Sequence, residues 1–420
     1  MKRVLTIVIA LLMLLGLCAC GGKETAKTEE PKTFRVGFGR VNITPAGSVD
    51  LDGYFGERKS QGVLNPIMAT CVAITDASDN ILLLFTVDMC NSERETADAL
   101  REKLAKSVGV PADNISISAT HTHSSPNTGS VPKYVDMLVQ AGEEAMKDRA
   151  PATIQAGSYD VPGMNFVRHY ILNDGSHMGD NFGSTAAGIK DHAAEADENM
   201  RLIRFVREGN KKDVLMVNWQ VHPKVASTNN TAEGRQTRNL ISSDFIGFAR
   251  DHVEAKEDVL MAYYTGAAGN LNAESRLASE YTSAPKDAKK YGEQFGDHVI
   301  AGLAQLKTVE TGNIGSKKAP LGEGGFYLHA YSVGGLGFAT VPAEIFCATG
   351  KQIREGSPYE ITFVLTCTNG RNTYIPTENV WDYTVTTKEV PYEVSICRYP
   401  KGTAEELAQD LVDMLTELHG

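Results

Sequence analysis

Short apolar runs, each closed by a turn signal, alternate along this chain with helical stripes. Residues 34–44 alternate and end at Thr44-Pro45, which predicts a strand and a turn. Residues 69–76 and 81–88 flank Ala77-Ser-Asp-Asn80 and predict a hairpin. Ser92 then caps a helix running to about Ser107, with Ala97, Leu100 and Leu104 as its inward stripe. Asn114-Ile-Ser-Ile-Ser118 alternates as the next strand. Residues 134–149 read as a helix, 152–159 as a strand, and 200–206 with 214–220 as a second hairpin around Gly209-Asn210. A helix capped by Ser242 or Ser243 carries Phe245, Phe248, Ala249 and Val253, and a strand over 259–264 follows. Residues 285–306 form a helix with Tyr291, Phe295, Val299 and Leu303 inward. Strands over 326–333, 336–340 and 359–366, a helix from Val341-Pro-Ala-Glu344 to about Arg354, and a closing helix over 403–418 complete the pattern.

Two stretches break the rhythm. Residues 175–199 are rich in Gly, Asp and His with little apolar periodicity, and read as a long loop. Gly266-Ala-Ala-Gly-Asn-Leu-Asn272 is a strand-to-loop turn whose backbone N–H groups suit a phosphate or an oxyanion. It lacks the Gly-Lys-Ser/Thr of a nucleotide loop. Strands alternating with helices predict an α/β fold, with mixed β-sheets flanked by helices and the site at loops beyond the strand carboxyl ends. No linker divides residues 34–420, which predicts one catalytic-size domain.

The N-terminus changes the picture of where the protein works. Lys2-Arg3 and the apolar run from Val4 to Leu17 have the form of a signal peptide. Leu17-Cys18-Ala19-Cys20-Gly21 resembles a bacterial lipobox. The expectation is therefore a signal over residues 1–19, lipidation of Cys20, a flexible tether over 20–33, and an extracytoplasmic protein anchored to the bacterial cell membrane. A net charge of −11 argues against nucleic acid as a partner, because phosphate binding needs a basic surface. Cys71, Cys90, Cys347, Cys367 and Cys397 remain beyond the signal, without a Cys-x-x-Cys pair, so a cysteine zinc site is not expected. An exported context permits a disulfide and leaves its pairing open.

The candidate chemistry centres on Thr120-His-Thr-His-Ser124. In an extended backbone residues two apart share a face, so His121 and His123 look into one site just past a strand. Val221-His222-Pro223 occupies a second strand end, and Glu344 a helix start.

Several blocks together resemble the neutral ceramidases, specifically their N-terminal metal-binding domain, over residues 34–393. They are Gly37-Phe-Gly-Arg-Val-Asn-Ile-Thr-Pro45, Asp50-Leu-Asp-Gly-Tyr54, Thr120-His-Thr-His-Ser124 and Asn218-Trp-Gln-Val-His222, then Ile241-Ser-Ser-Asp244, Thr340-Val-Pro-Ala-Glu344 and residues 370–377, in that order. The resemblance implies a zinc held by His121, His222, Glu344 and Tyr374. It implies His123 as proton carrier, with Arg168 and Tyr392 beside the reacting carbonyl. The implied reaction is hydrolysis of the amide of a small N-acyl or lipid, ceramide-like substrate by a zinc-activated water. Two features depart from the family. Asn272 stands where the family has a serine, so a serine nucleophile is excluded and Asn272 becomes a candidate hydrogen-bond donor. The family's larger members carry a C-terminal β-sandwich, and the residues here end in a helix, so a smaller N-acyl compound is as good an expectation as ceramide. A zinc esterase or other hydrolase on the same site, and a non-catalytic solute-binding lipoprotein, are the alternatives.

Overall fold

In the computed structural model, the strands Ile81–Val87 and Asp213–Trp219 are buried along their whole lengths. Their near-continuous apolar sequences are what a strand covered on both faces requires. Both lie in one nine-stranded sheet. Its main path runs Val259–Thr265, Asp213–Trp219, Asn199–Arg207, Ala150–Asp160, Arg35–Asn42, Met68–Thr75, Ile81–Val87, Ile115–Ala119. The two predicted hairpins form, pairing Val72 with Leu84 and Leu202 with Val217. The structure describes residues 32–228, 236–277, 287–387 and 389–420. The expected signal, Cys20 and most of the tether lie outside them.

A four-stranded sheet of Ile314–Pro320, Tyr327–Val333, Leu336–Thr340 and Ile361–Leu365 packs against the large one. Val36, Val72, Leu84, Phe205 and Met216 from the large sheet share one apolar cluster with Tyr331, Phe338 and Phe363 from the small one. The outer face of the large sheet is covered at one end by the helices Arg94–Val108 and Tyr134–Lys147, and at the other by Asp244–Lys256 and Ala288–Leu303. Cys347–Gly356 and Thr403–His419 cover the small sheet. The result is a four-layer α/β/β/α arrangement of mixed sheets, and residues Thr33–Gly420 form one compact unit. Close approach of the Tyr134–Lys147 helix to the first strand explains Gly39, where an added Cβ would lie 2.1 Å from the Ala141 carbonyl oxygen.

Several expectations are corrected. Ser92 does not cap a helix. Its hydroxyl donates to the Cys367 carbonyl and accepts from the Gly370 N–H, tying the two halves together instead. Residues 175–199 are not a plain loop. His177–Met178 and Ile189–His192 pair on either side of Tyr170–Leu172 as a small sheet. Glu344 does not open a helix. It lies in the two-residue strand Glu344–Ile345, and the helix starts at Cys347. The N–H groups of Gly266, Gly269 and Leu271 donate to the Trp219, Ile345 and Ala268 carbonyls, so those donors in the glycine turn are not free for an anion. The five cysteines past the signal are all unpaired. Among the described residues no helix is long and apolar enough to cross a membrane.

Candidate metal centre

Parallel pairing sends three pairs of strands to the same edge. Ile81–Val87 runs beside Ile115–Ala119, Asp213–Trp219 beside Val259–Thr265, and Leu336–Thr340 beside Ile361–Leu365. Their carboxyl ends are laced together. Thr265 Oγ1 donates to the Thr120 carbonyl, the Thr366 N–H to Thr265, and the Ala119 N–H to Cys367. His121, His222 and Glu344 follow three of these ends.

His121 has a left-handed backbone, with φ of 66°. The pair therefore does not share a face through an extended strand. The chain turns at once after Ala119, and the two rings meet across that turn with His123 Nε2 3.3 Å from His121 Nε2. A non-glycine residue held at positive φ costs free energy that the surrounding bonds must offset, a condition concentrated at functional sites. Here the His121 N–H donates to the Met89 carbonyl and His121 Nδ1 donates to the Cys90 carbonyl at 2.7 Å.

The tautomers of both buried histidines follow from their partners. A carbonyl only accepts, so His121 Nδ1 and His222 Nδ1, the latter 2.8 Å from the Ala268 carbonyl, carry protons. Each Nε2 is thereby turned toward Glu344 Oε2, at 3.1 Å in both cases. Tyr374 Oη lies 3.1 Å from His222 Nε2. Glu344 and Tyr374 are brought abreast by the parallel pairing of Glu344–Ile345 with Tyr374–Ile375. All four side chains are buried. Two imidazole nitrogens, a carboxylate and a phenol form a donor set that fits a zinc-type cation, and the Nδ1–carbonyl bonds are the orienting contacts such ligands need.

Electrostatics agree with that use. Burial opposes charge on His121, but Glu344 and the neighbouring Cys367 and Cys90 thiols raise it well above the usual imidazole range. Burial likewise opposes charge on Glu344, yet His121 and Arg371 hold it well below the usual carboxylate range. His222 is pulled down to about 4 by burial and the Arg168 charge. Burial, then His121 and His222, lower His123 well below its ordinary value.

The remaining expected residues fall into two groups. His121, His123, Arg168, Tyr374 and Tyr392 line one pocket of about 260 Å³. Arg168 is buried and its guanidinium bonds Glu393 Oε1 at 2.6 Å, leaving Nε without a partner. Tyr392 packs edge-on against Phe55, with ring centroids 5.6 Å apart. Asn272 is not brought to this pocket. Its Nδ2 donates to Asp180 Oδ2 at 2.7 Å, and it lines the neighbouring cavity.

Other contributors were not singled out from sequence. Glu393 also accepts from His169 Nε2, at 3.1 Å, so one buried carboxylate positions both Arg168 and His169. Arg371 donates through Nε to Glu344 Oε1 at 2.8 Å. Gly53, at φ 98°, packs so closely that an added Cβ would lie 2.7 Å from the His123 ring. Gly53 and Arg371 sit inside quoted blocks, but nothing local in the sequence marks their partners.

A family model described as "Neutral/alkaline non-lysosomal ceramidase, N-terminal" matches residues 34–312. Two solved structures share the fold. One, described as ceramidase complexed with C2, has a TM-score of 0.72 and 18% identity, covering 92% of this chain and 75% of that one. The other, neutral ceramidase from Pseudomonas aeruginosa, has a TM-score of 0.71 and 17% identity, covering 93% of this chain and 75% of that one. No curated protein sequence matches the chain.

Proposed function

Because the chain belongs to the neutral/alkaline non-lysosomal ceramidase family, we propose that it is a zinc-dependent amidohydrolase cleaving an N-acylated, ceramide-like substrate. One observation carries the reading: two buried imidazoles, each with Nδ1 tied to a carbonyl, present Nε2 to the same Glu344 oxygen at 3.1 Å. His121, His222, Glu344 and Tyr374 would hold the ion. Zinc in such a set polarises a carbonyl and lowers the pKa of water to about 7.

The chain's own groups supply the rest. Burial and the neighbouring His121 and His222 hold His123 below its ordinary value, and its Nδ1 has no partner, so we give it the role of taking a proton. It accepts that proton from the attacking water and returns it to the leaving nitrogen. Arg168 stays charged in its buried pair with Glu393 and, with the Tyr392 hydroxyl, stabilises the developing oxyanion. Tyr54, Phe55 and Tyr392 at the pocket wall suit the acyl chain.

Matched substrates that differ only in an amide or ester link test the reaction class. The zinc-loaded protein is expected to turn over the amide and to stop when chelated. Cleavage of the ester alone would make it an esterase, and a ligand held unchanged would make it a binding protein. The lipid anchor is part of the same proposal. Metabolic labelling with a fatty acid is expected in the wild type and absent from Cys20→Ser, and equal labelling of both would refute it.

A further inference from the structure

The two oxygens of Glu344 have separate partners. Oε2 faces His121 Nε2 and His222 Nε2, at 3.1 Å each. Oε1 accepts from Arg371 Nε at 2.8 Å. Glu344 is buried, whereas Arg371 is one-third exposed and lines the same pocket as His121 and Tyr374. A carboxylate left to itself swivels about its last bond and offers a cation one oxygen or both. A bond to Oε1 removes both freedoms.

The chain is wound tightly to bring Arg371 there. Cys367 and Asn369 are held at φ of 49° and 58°, and Gly370 at 140°. Left-handed backbone at residues with side chains persists only where surrounding bonds over-determine it. The Asn369 N–H donates to the Ile117 carbonyl at 2.8 Å, and Asn369 Oδ1 accepts from the Ile117 N–H at 2.9 Å. The Gly370 N–H donates to the Ser92 hydroxyl at 3.1 Å, and the Asn372 N–H to the Pro342 carbonyl at 2.8 Å. Arg371 therefore leaves the chain between two pinned residues. The Glu344 N–H in turn donates to the Thr373 carbonyl at 3.0 Å, so this segment braces Glu344 through backbone and side chain alike. An ion pair with one partly solvated member adds little to stability, so holding the fold together does not account for such a loop.

We propose that Arg371 is a positioning residue of the metal centre, holding Glu344 Oε1 so that the carboxylate meets the ion through Oε2 alone. The inference rests on the metal reading of this site and adds to it a residue outside the ligand set. A guanidinium suits the task better than an ammonium. Its Nε–H lies in the plane of a rigid fork and fixes a direction, whereas an ammonium acts as a point charge with rotating donors.

The test uses metal-stripped wild type, Arg371→Met and Arg371→Lys, and needs no substrate. Methionine keeps an unbranched stem without the donor, and lysine keeps the charge. Zinc dissociation constants are measured by competition with a chromophoric chelator, and the visible spectrum is recorded after loading with Co²⁺. Arg371→Met should bind zinc roughly tenfold to a hundredfold more weakly. Its cobalt absorption should weaken, because the freed Oε1 adds to the ion's coordination. Arg371→Lys should recover part of the affinity. A dissociation constant and a band intensity per bound ion are both insensitive to the folded fraction. Either readout unchanged in Arg371→Met overturns the inference. A wild type that binds neither ion removes the metal centre itself and this inference with it, which is distinct from binding that Arg371→Met leaves unaltered.

Discussion

At the residue scale, two histidines two positions apart have unlike surroundings, and the proposed roles follow from them. His121 has one ring nitrogen fixed by the Cys90 carbonyl and the other aimed at Glu344, which is how a metal ligand is held. His123 has a free Nδ1 and a lowered pKa, which is how a proton carrier is held. His121→Ala is therefore expected to lose bound zinc. His123→Ala should keep it and lose about 10²–10⁴ in kcat. Metal analysis and kinetics on the two variants check this, and the opposite pattern would show the roles exchanged. Pairing of the two histidines was legible in sequence, but the reason given for it was not. The extended backbone that would align them is replaced by a left-handed turn at His121, because Thr120 and His121 bond back to Val87 and Met89 rather than continue the strand.

At the element scale, the four-residue helix Tyr392–Ser395 carries Glu393, whose carboxylate anchors Arg168 and His169. Burial works against its charge, yet His169 and Arg168 hold it down to about 2 from an ordinary 4.5. A lowered carboxyl stabilises the fold above its unfolded value and loses that contribution as pH falls through the folded one. The shift corresponds to about 3 kcal/mol at neutral pH, lost between about pH 4.5 and 2. Glu393→Gln should lose stability at pH 7 and show a shallower acid limb in urea unfolding followed across that window. An identical acid limb would mean that Glu393 is not charged in the fold. Elements with continuous apolar runs, such as the hairpin through Val72 and Leu84, were legible because both faces of their strands are buried. The small sheet around Tyr170–Leu172 was not, because its partner strand Ile189–His192 is only partly covered and carries no apolar alternation.

At the scale of the whole molecule, the site is a product of topology. The proposed ligands at positions 121, 222, 344 and 374 follow strands of both sheets, and the parallel pairs deliver them to one edge. Sequence blocks named these four, since each follows a recognisable strand or block. Contacts such as Asn272 with Asp180, 92 positions apart, and Arg371 with Glu344 have no local signature and emerge only when the layers close. The same closure explains why Asn272 lies outside the pocket lined by His121 and His123. The strand Leu271–Asn272 pairs with Phe166–Val167, and its side chain faces the neighbouring cavity. We propose that this edge binds one zinc ion and uses it to cleave an amide. That proposal is tested by stripping the protein with a chelator and following hydrolysis of an N-acyl substrate as zinc is titrated back. Activity should rise to a plateau at one equivalent per chain and stay absent in His222→Ala. Amide hydrolysis that survives chelation, or that is equal in His222→Ala, would contradict it.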